Sequence, residues 1–273
     1  MPIVLDKPPG WTPLEAIETL RAADPSLARA RMGYAGRLDP LAEGVMLVLR
    51  DEENRASASF CALDKTYRVG VLFGLATDTF DALGLVEPAT ADVDISGVPD
   101  AARSFVGTFA QTVPAYASHR VNGKPLFHWA RRGMADQVPR PAPLRTIRAI
   151  EHEGDTRIAP GALLASIEAR VAEVRGDFRQ AEIALRWRAV LGGITSSLQC
   201  AQLRVECSSG TFMRALAHDL GRALGTSALA LTIERLRVGP HERIDARKFP
   251  AGTVRPPIGA TRWRTARATL PPQ

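Results

Sequence analysis

The stretch Gly33–Leu49, "GYAGRLDPLAEGVMLVL", decides how the rest of the chain is read. An Asp39-Pro40 step lies between glycines, and a continuous apolar run, Val45–Leu49, follows at once. A residue before proline is pushed out of the helical region, so Asp39 is extended or in a turn. One use of the pattern is structural, with Asp39 as N-cap and Pro40 as first residue of a helix. The other is chemical: a lone carboxylate on a rigid turn, which needs a nearby cation to stay ionised away from water. The apolar run itself predicts a buried strand.

Upstream, "PIVLDKPPGWTP" reads as a strand over Ile3–Leu5 entering a rigid Pro-Gly turn. Pro13 then opens a helix with Leu14, Ile17 and Leu20 at helical spacing. Downstream, "KTYRVGVLFG" alternates, with Tyr67, Val69, Val71 and Phe73 on one face. "TDTFDALG" reads as a polar turn, which accounts for Asp78 and Asp81 without a catalytic pair. Residues 101–109 are expected to be helical. Asn122-Gly123 marks a turn before a short helix through Leu126 and Trp129. Leu164, Ile167, Val171 and Val174 have helical spacing, whereas "EIALRWRAV" alternates as a strand with Ile183, Leu185 and Trp187 on one face. "LRVECSSG" alternates again. "TFMRALAHDLGRALG" is the strongest helix, with Thr211 as N-cap, Leu216 and Leu220 on its apolar face, and Gly225 closing it. "LTIERLRVG" reads as a strand or a helix-to-strand segment. This mixture predicts an α+β body.

The chain is basic, with a net charge of +6, and Arg far outnumbers Lys; such a surface suits a polyanion, with nucleic acid the leading candidate. Cys61, Cys200 and Cys207 form no CxxC pair and their odd number argues against a disulfide framework, so Cys207 reads as a buried thiol. No histidine spacing suits a metal, and none is expected. Asp6 and Lys7 interrupt the N-terminus before any secretory signal, and no run approaches the roughly 18 apolar residues of a membrane span. A soluble, cytoplasmic protein is expected, with no oligomer signal and hence a monomer. From residue 241 to 273 the chain turns Pro- and Arg-rich, with seven Lys or Arg against two acidic residues, which predicts a basic tail with little core of its own.

Four motifs, "LDKPPG", "GRLDPLAEG", "KTYRVGVLFG" and "SSGTFMRALAHDLG", occur in this order, with "PAYASHRVNGKPLFHWARRG" and "RPAPLRTI" between them. Over residues 2–239 this order resembles the tRNA pseudouridine synthases of the TruB type. The resemblance implies a pseudouridine synthase fold: a central, mostly antiparallel mixed sheet flanked by helices and loops around a basic RNA-binding cleft. It implies conversion of uridine to pseudouridine in tRNA at position 55 of the T-loop, with the T-loop and T-stem as partner and neither metal nor organic cofactor. Asp39 would be the nucleophile, Tyr67 the platform for the flipped base, and Arg214 the cation paired with Asp39. Ile233 and Leu236 would form an apolar wall, and Lys7 would support the site.

The chain departs from the family pattern in places. Tyr34 stands where the family has His, Arg37 where it has a small or hydroxylated residue, and Phe212 where it has Tyr. Residues 157–199 exceed the usual length and read as a peripheral insert of a helix and a strand on a catalytic body of residues 1–240. Residues 241–273 leave no room for the PUA domain that ends many relatives. These departures keep open a non-catalytic tRNA-binding protein of the same fold, or a synthase for another RNA site. A hydrolase using a lone carboxylate is disfavoured because no second catalytic carboxylate stands out.

The chemistry suits one carboxylate. Isomerising uridine breaks a glycosidic bond, turns the base and makes a C–C bond to the same sugar carbon. A carboxylate starts this by attacking C1′ or the base C6, or by stabilising charge at C1′. Its partner is best an arginine, which stays charged. The base must leave its stack first, and an aromatic ring is the usual platform, worth about 1–3 kcal/mol per base.

Overall fold

Strands with apolar residues on both faces need cover on both sides. "VMLVL" is such a run, and it becomes one of the inner strands of a nine-stranded sheet. The computed structural model describes residues 1–87 and 93–256. In chain order its elements begin with β1 (Ile3–Lys7), α1 (Pro13–Ala23), β2 (Met32–Ala35), β3 (Glu43–Arg50), α2 (Ser57–Ala62) and β4 (Lys65–Phe73). There follow β5 (Ala76–Thr77), β6 (Val86–Glu87), α3 (Val98–Ser104), β7 (Gly107–Ala110), β8 (Arg120–Val121), β9 (Lys124–Pro125) and α4 (Leu126–Ala130). The rest comprises β10 (Leu144–Ile158), α5 (Pro160–Ala172), α6 (Gln180–Leu191), β11 (Leu198–Cys207), α7 (Met213–Ala223), β12 (Ala228–Val238) and β13 (His241–Glu242).

The large sheet runs β1-β3-β12-β4-β11-β10-β7, with β2 on β3 and β13 on β12. Among the described residues its pairs are antiparallel except β12 with β3, where Glu234 faces Glu43 and Arg235 faces Gly44. Gly44 is required there: at φ +101°, an added Cβ would strike the Arg235 backbone. β3 shows why its sequence is continuously apolar. Met46 and Val48 enter the main core with α1 and α7, while Val45, Leu47 and Leu49 pack under α2 beside Val238.

β4 lies at the centre. Tyr67, Val69, Val71 and Phe73 share one face with Ile17 and Leu20 of α1 and Leu216 and Leu220 of α7. Leu72 faces the opposite layer, where Ile167, Val171, Ile183 and Trp187 of α5 and α6 form a second core. Burying each such side chain contributes roughly 1.5–3 kcal/mol. Among the described residues, no helix is long and apolar enough to cross a membrane.

Several expectations are corrected. Residues 182–190 are helical, within α6, not a strand: Ile183 and Trp187 are fully buried at i,i+4 spacing while Leu185 is 63% exposed. The 157–199 segment is therefore built around a helical hairpin, and it is not peripheral, because it supplies about half of the buried residues of the second core. The helix expected over 101–109 stops at Ser104, and Gly107 at φ +119° starts β7. Thr211 does not cap α7. Its hydroxyl donates to the Ser208 carbonyl at 2.9 Å, and Phe212 is the N-cap without a side-chain bond. Gly225 does end α7, at φ +70°, with its N–H on Arg222 O and that of Thr226 on Gly221 O, the paired bonds of a Schellman motif. Residues 241–256 are tied to the body: Arg247 exchanges backbone bonds with Val4 and Asp6, and the Arg243 guanidinium joins Asp6, Glu43 and Glu234. Residues 257–273 of the expected tail lie outside the described residues.

Candidate active site

Asp39 opens a turn, not a helix. Its carbonyl accepts from Ala42 N–H at 3.1 Å, with Pro40 in the second position, where its fixed φ favours a β-turn. Buried cations clamp both ends of this loop. Arg235, 1% exposed, donates to Gly36 O at 3.1 Å and Val45 O at 2.6 Å. Lys7, fully buried at the end of β1, donates to Pro8, Trp11 and Pro40 carbonyls at 2.8, 2.7 and 3.2 Å. Burial pushes the Lys7 ammonium down to about 7, against the pull of Asp39.

The clamped turn aims Asp39 into a cavity of about 390 Å³, within the roughly 300–1,000 Å³ of ligand sites. There Arg214, from the first turn of α7, meets it in a forked pair: Nε to Oδ2 at 2.8 Å and Nη2 to Oδ1 at 3.4 Å. Arg214 is otherwise spent on Thr79 O at 2.8 Å and Tyr116 O at 3.3 Å. The arginine is 4% exposed at its side chain and Asp39 35%, so the carboxylate faces the cavity and its partner is hidden behind it.

Asp81 also approaches this guanidinium, its Oδ2 3.6 Å from the same Arg214 Nε. It accepts from Thr79 Oγ1 at 2.6 Å and Leu83 N–H at 3.0 Å. Burial raises its proton affinity and Arg214 opposes this. Burial also works against the Arg214 charge, but Asp39 and Asp81 together outweigh it, and its pKa is raised. Tyr67 projects from β4 into the cavity, and burial raises its phenol pKa against the nearby Arg235, so the ring stays neutral.

Asp39, Tyr67, Arg214, Arg37, Phe212 and Ile233 all line this cavity. Arg37 is exposed there. Phe212 is fixed through its backbone, whose N–H and C=O both bond the buried Gln111 amide, at 2.8 and 3.1 Å. Three expected residues stand elsewhere. Lys7 acts from beneath, through Pro40. Tyr34 lies on β2 opposite Val48 and packs partly against the main core. Leu236 is half-buried outside the cavity, as strand alternation from Ile233 through Arg235 places it. Arg235 lines the wall instead.

Further lining residues were not expected: Asp81, Lys65, Tyr116, Arg131, Phe178 and Arg179. Asp81 carried a signal, two acids in one short turn, but only the tertiary approach of Arg214 separates it from Asp78. Lys65 bonds Cys61 and Leu63 carbonyls, and burial lowers its pKa to about 8.

The model of the TruB family pseudouridylate synthase N-terminal domain matches residues 25–181, more than half of the chain. This chain belongs to the TruB family. A tRNA pseudouridine synthase B of Gloeobacter violaceus is 34% identical over 276 residues, covering 97% of this chain and 78% of the relative. That of Bordetella pertussis is 29% identical over 243 residues, covering 87% and 80%. In fold, the chain matches a protein of a solved Cbf5–Nop10–Gar1 complex with a TM-score of 0.56 at 19% identity, covering 91% of this chain and 52% of that one. The chain thus spans about half the length of that solved relative. The α+β architecture expected from the TruB motifs is the one found.

Proposed function

We propose that this TruB-family protein isomerises uridine to pseudouridine in tRNA, at position 55 of the T-loop, with Asp39 as the nucleophile. The observation that carries this reading is the forked Asp39–Arg214 pair at the wall of a cavity that also holds Tyr67. The T-loop and T-stem would lie against the mouth of the cavity, and the target nucleotide would leave its stack to enter it. Tyr67 offers a neutral aromatic face for the base, and Ile233 an apolar wall. Arg214 holds the carboxylate in one orientation from a water-poor side, so positioning is complete before the substrate arrives. The test is a pseudouridine assay on an unmodified tRNA transcript, with the modified position mapped, comparing wild type with Asp39→Ala. Modification at the T-loop uridine by wild type alone supports the reading. Equal turnover by the variant removes Asp39 from the chemistry, and binding without turnover by wild type points to a tRNA holder.

A further inference from the structure

The cavity has a wall that comes from the α5–α6 hairpin. Its loop, Glu173–Arg179, places Phe178 and Arg179 among the lining residues. Arg179 is held from two directions. Its Nη1 donates to Asp78 at 2.7 Å, and its guanidinium lies 4.7 Å from the centre of the Tyr116 ring. Among the described residues its Nε and Nη2 have no hydrogen-bond acceptor, and its side chain is 22% exposed. Its backbone is left-handed at φ +64°, a costly state for a residue other than glycine. Phe178 beside it stands 5.8 Å from the Arg131 guanidinium, which also faces Phe127 at 5.9 Å and joins the hairpin loop through Asp177.

The other cations of the cavity are differently engaged. Arg214 is occupied by Asp39 and two carbonyls, Arg235 by the Gly36 and Val45 carbonyls, and Lys65 by Cys61 and Leu63, each at most 3% exposed; Arg131 is turned to Asp177, Phe127 and Phe178, and the exposed Arg37 has no partner among the described residues to fix its direction. An RNA strand entering here brings phosphates toward Asp39 and Asp81, which repel them. A cation with spare, fixed donors is what such a strand requires, and a planar guanidinium suits a phosphate.

Resting on the uridine-isomerase reading, we infer that Arg179 is a substrate-positioning residue, which takes an RNA phosphate next to the flipped nucleotide. Asp78 and Tyr116 orient it so that one edge stays open toward the cavity. The hairpin is then part of the RNA site as well as of the second core.

The experiment measures tRNA binding against salt, together with single-turnover pseudouridine formation, for wild type, Arg179→Gln, Arg179→Lys and Asp78→Asn. Arg179→Gln is expected to weaken binding about tenfold and to lower the slope of log affinity against log salt by about one contact. Its rate at saturating tRNA should change much less than its affinity. Arg179→Lys should restore most of the salt slope, since the charge returns. Asp78→Asn, which breaks the protein's own pair but leaves the arginine, should keep the slope. If Arg179 merely pins the loop, Arg179→Gln will weaken binding without lowering the salt slope, as loss of the Asp78 pair does, and the inference fails. It also fails if Arg179→Gln leaves affinity and slope unchanged in an active enzyme. Absence of wild-type turnover on tRNA would instead overturn the functional reading on which it rests.

Discussion

The turn Gly36–Ala42 and the hairpin loop Glu173–Arg179 reach the same cavity, but they are held by different means. The turn is held mainly through its backbone: Pro40 presets it, Ala42 closes it, and Lys7 and Arg235 grip its carbonyls. The loop is held largely through side chains of distant segments, such as Asp78, 101 residues from its partner Arg179. On the proposed reading Asp39 is a nucleophile that must keep its place through the reaction, and a fixed main chain suits that role. A residue that only grips substrate can stand on a loop whose position depends on tertiary partners.

The largest expected effect tests the turn. Asp39→Asn should reduce single-turnover isomerisation by roughly 10⁴-fold or more while leaving tRNA affinity within a few-fold. A comparable loss of affinity would make Asp39 a binding group and erase the contrast with Arg179.

The next tests the hairpin as a folded element. Trp187 is fully buried, and its indole N–H donates to Gly84 O at 3.2 Å. Trp187→Ala should cost about 3–5 kcal/mol in urea unfolding. Leu185→Ala should stay within about 0.5 kcal/mol, as for an exposed site. Equal losses would mean that residues 182–190 pair as a strand with both side chains inward.

That contrast also shows what the sequence makes legible. In a nine-residue window, Ile183, Leu185 and Trp187 fit a period of two, and Ile183 and Trp187 fit a helix equally well. Leu191 fits both periods as well; Val190, seven residues after Ile183 and three after Trp187, fits only the helix, and it packs against the same core. The TruB motifs place Asp39, Tyr67 and Arg214 together because each motif has a local reason for its shape: an Asp-Pro turn, an alternating strand, a helix start. Arg235, not Leu236, lines the cavity because it stands two residues after Ile233 on the same strand face, a placement that a search for apolar wall residues passes over. Phe178 and Arg179 have no local reason at all, and their place follows from how α5 and α6 pack on the sheet.

A smaller effect concerns Arg214, the link between the turn and Asp81. Arg214→Gln should lower the single-turnover rate roughly 10²-fold, because it removes a preorganised charge beside Asp39. Arg214→Lys should fall between, since it lacks the fork that spans both carboxylate oxygens. A rate unchanged in both would show that backbone restraints alone orient Asp39.

The smallest effect tests the clamp beneath the turn. Lys7→Met leaves the Trp11 and Pro40 carbonyls without their donor, and should cost about 1–2 kcal/mol near neutral pH. The pH dependence is more specific. Burial lowers Lys7 from its ordinary 10.5 to about 7 in the folded chain, so between those values the unfolded chain binds more protons. Stability from this group therefore rises with pH across that window, and the group contributes no slope below it. Lys7→Met removes the slope, so the stability gap between wild type and variant should widen from pH 7 towards 10. A gap that stays constant would mean that the ammonium keeps its proton throughout, and that the three carbonyls around it compensate fully for burying the charge.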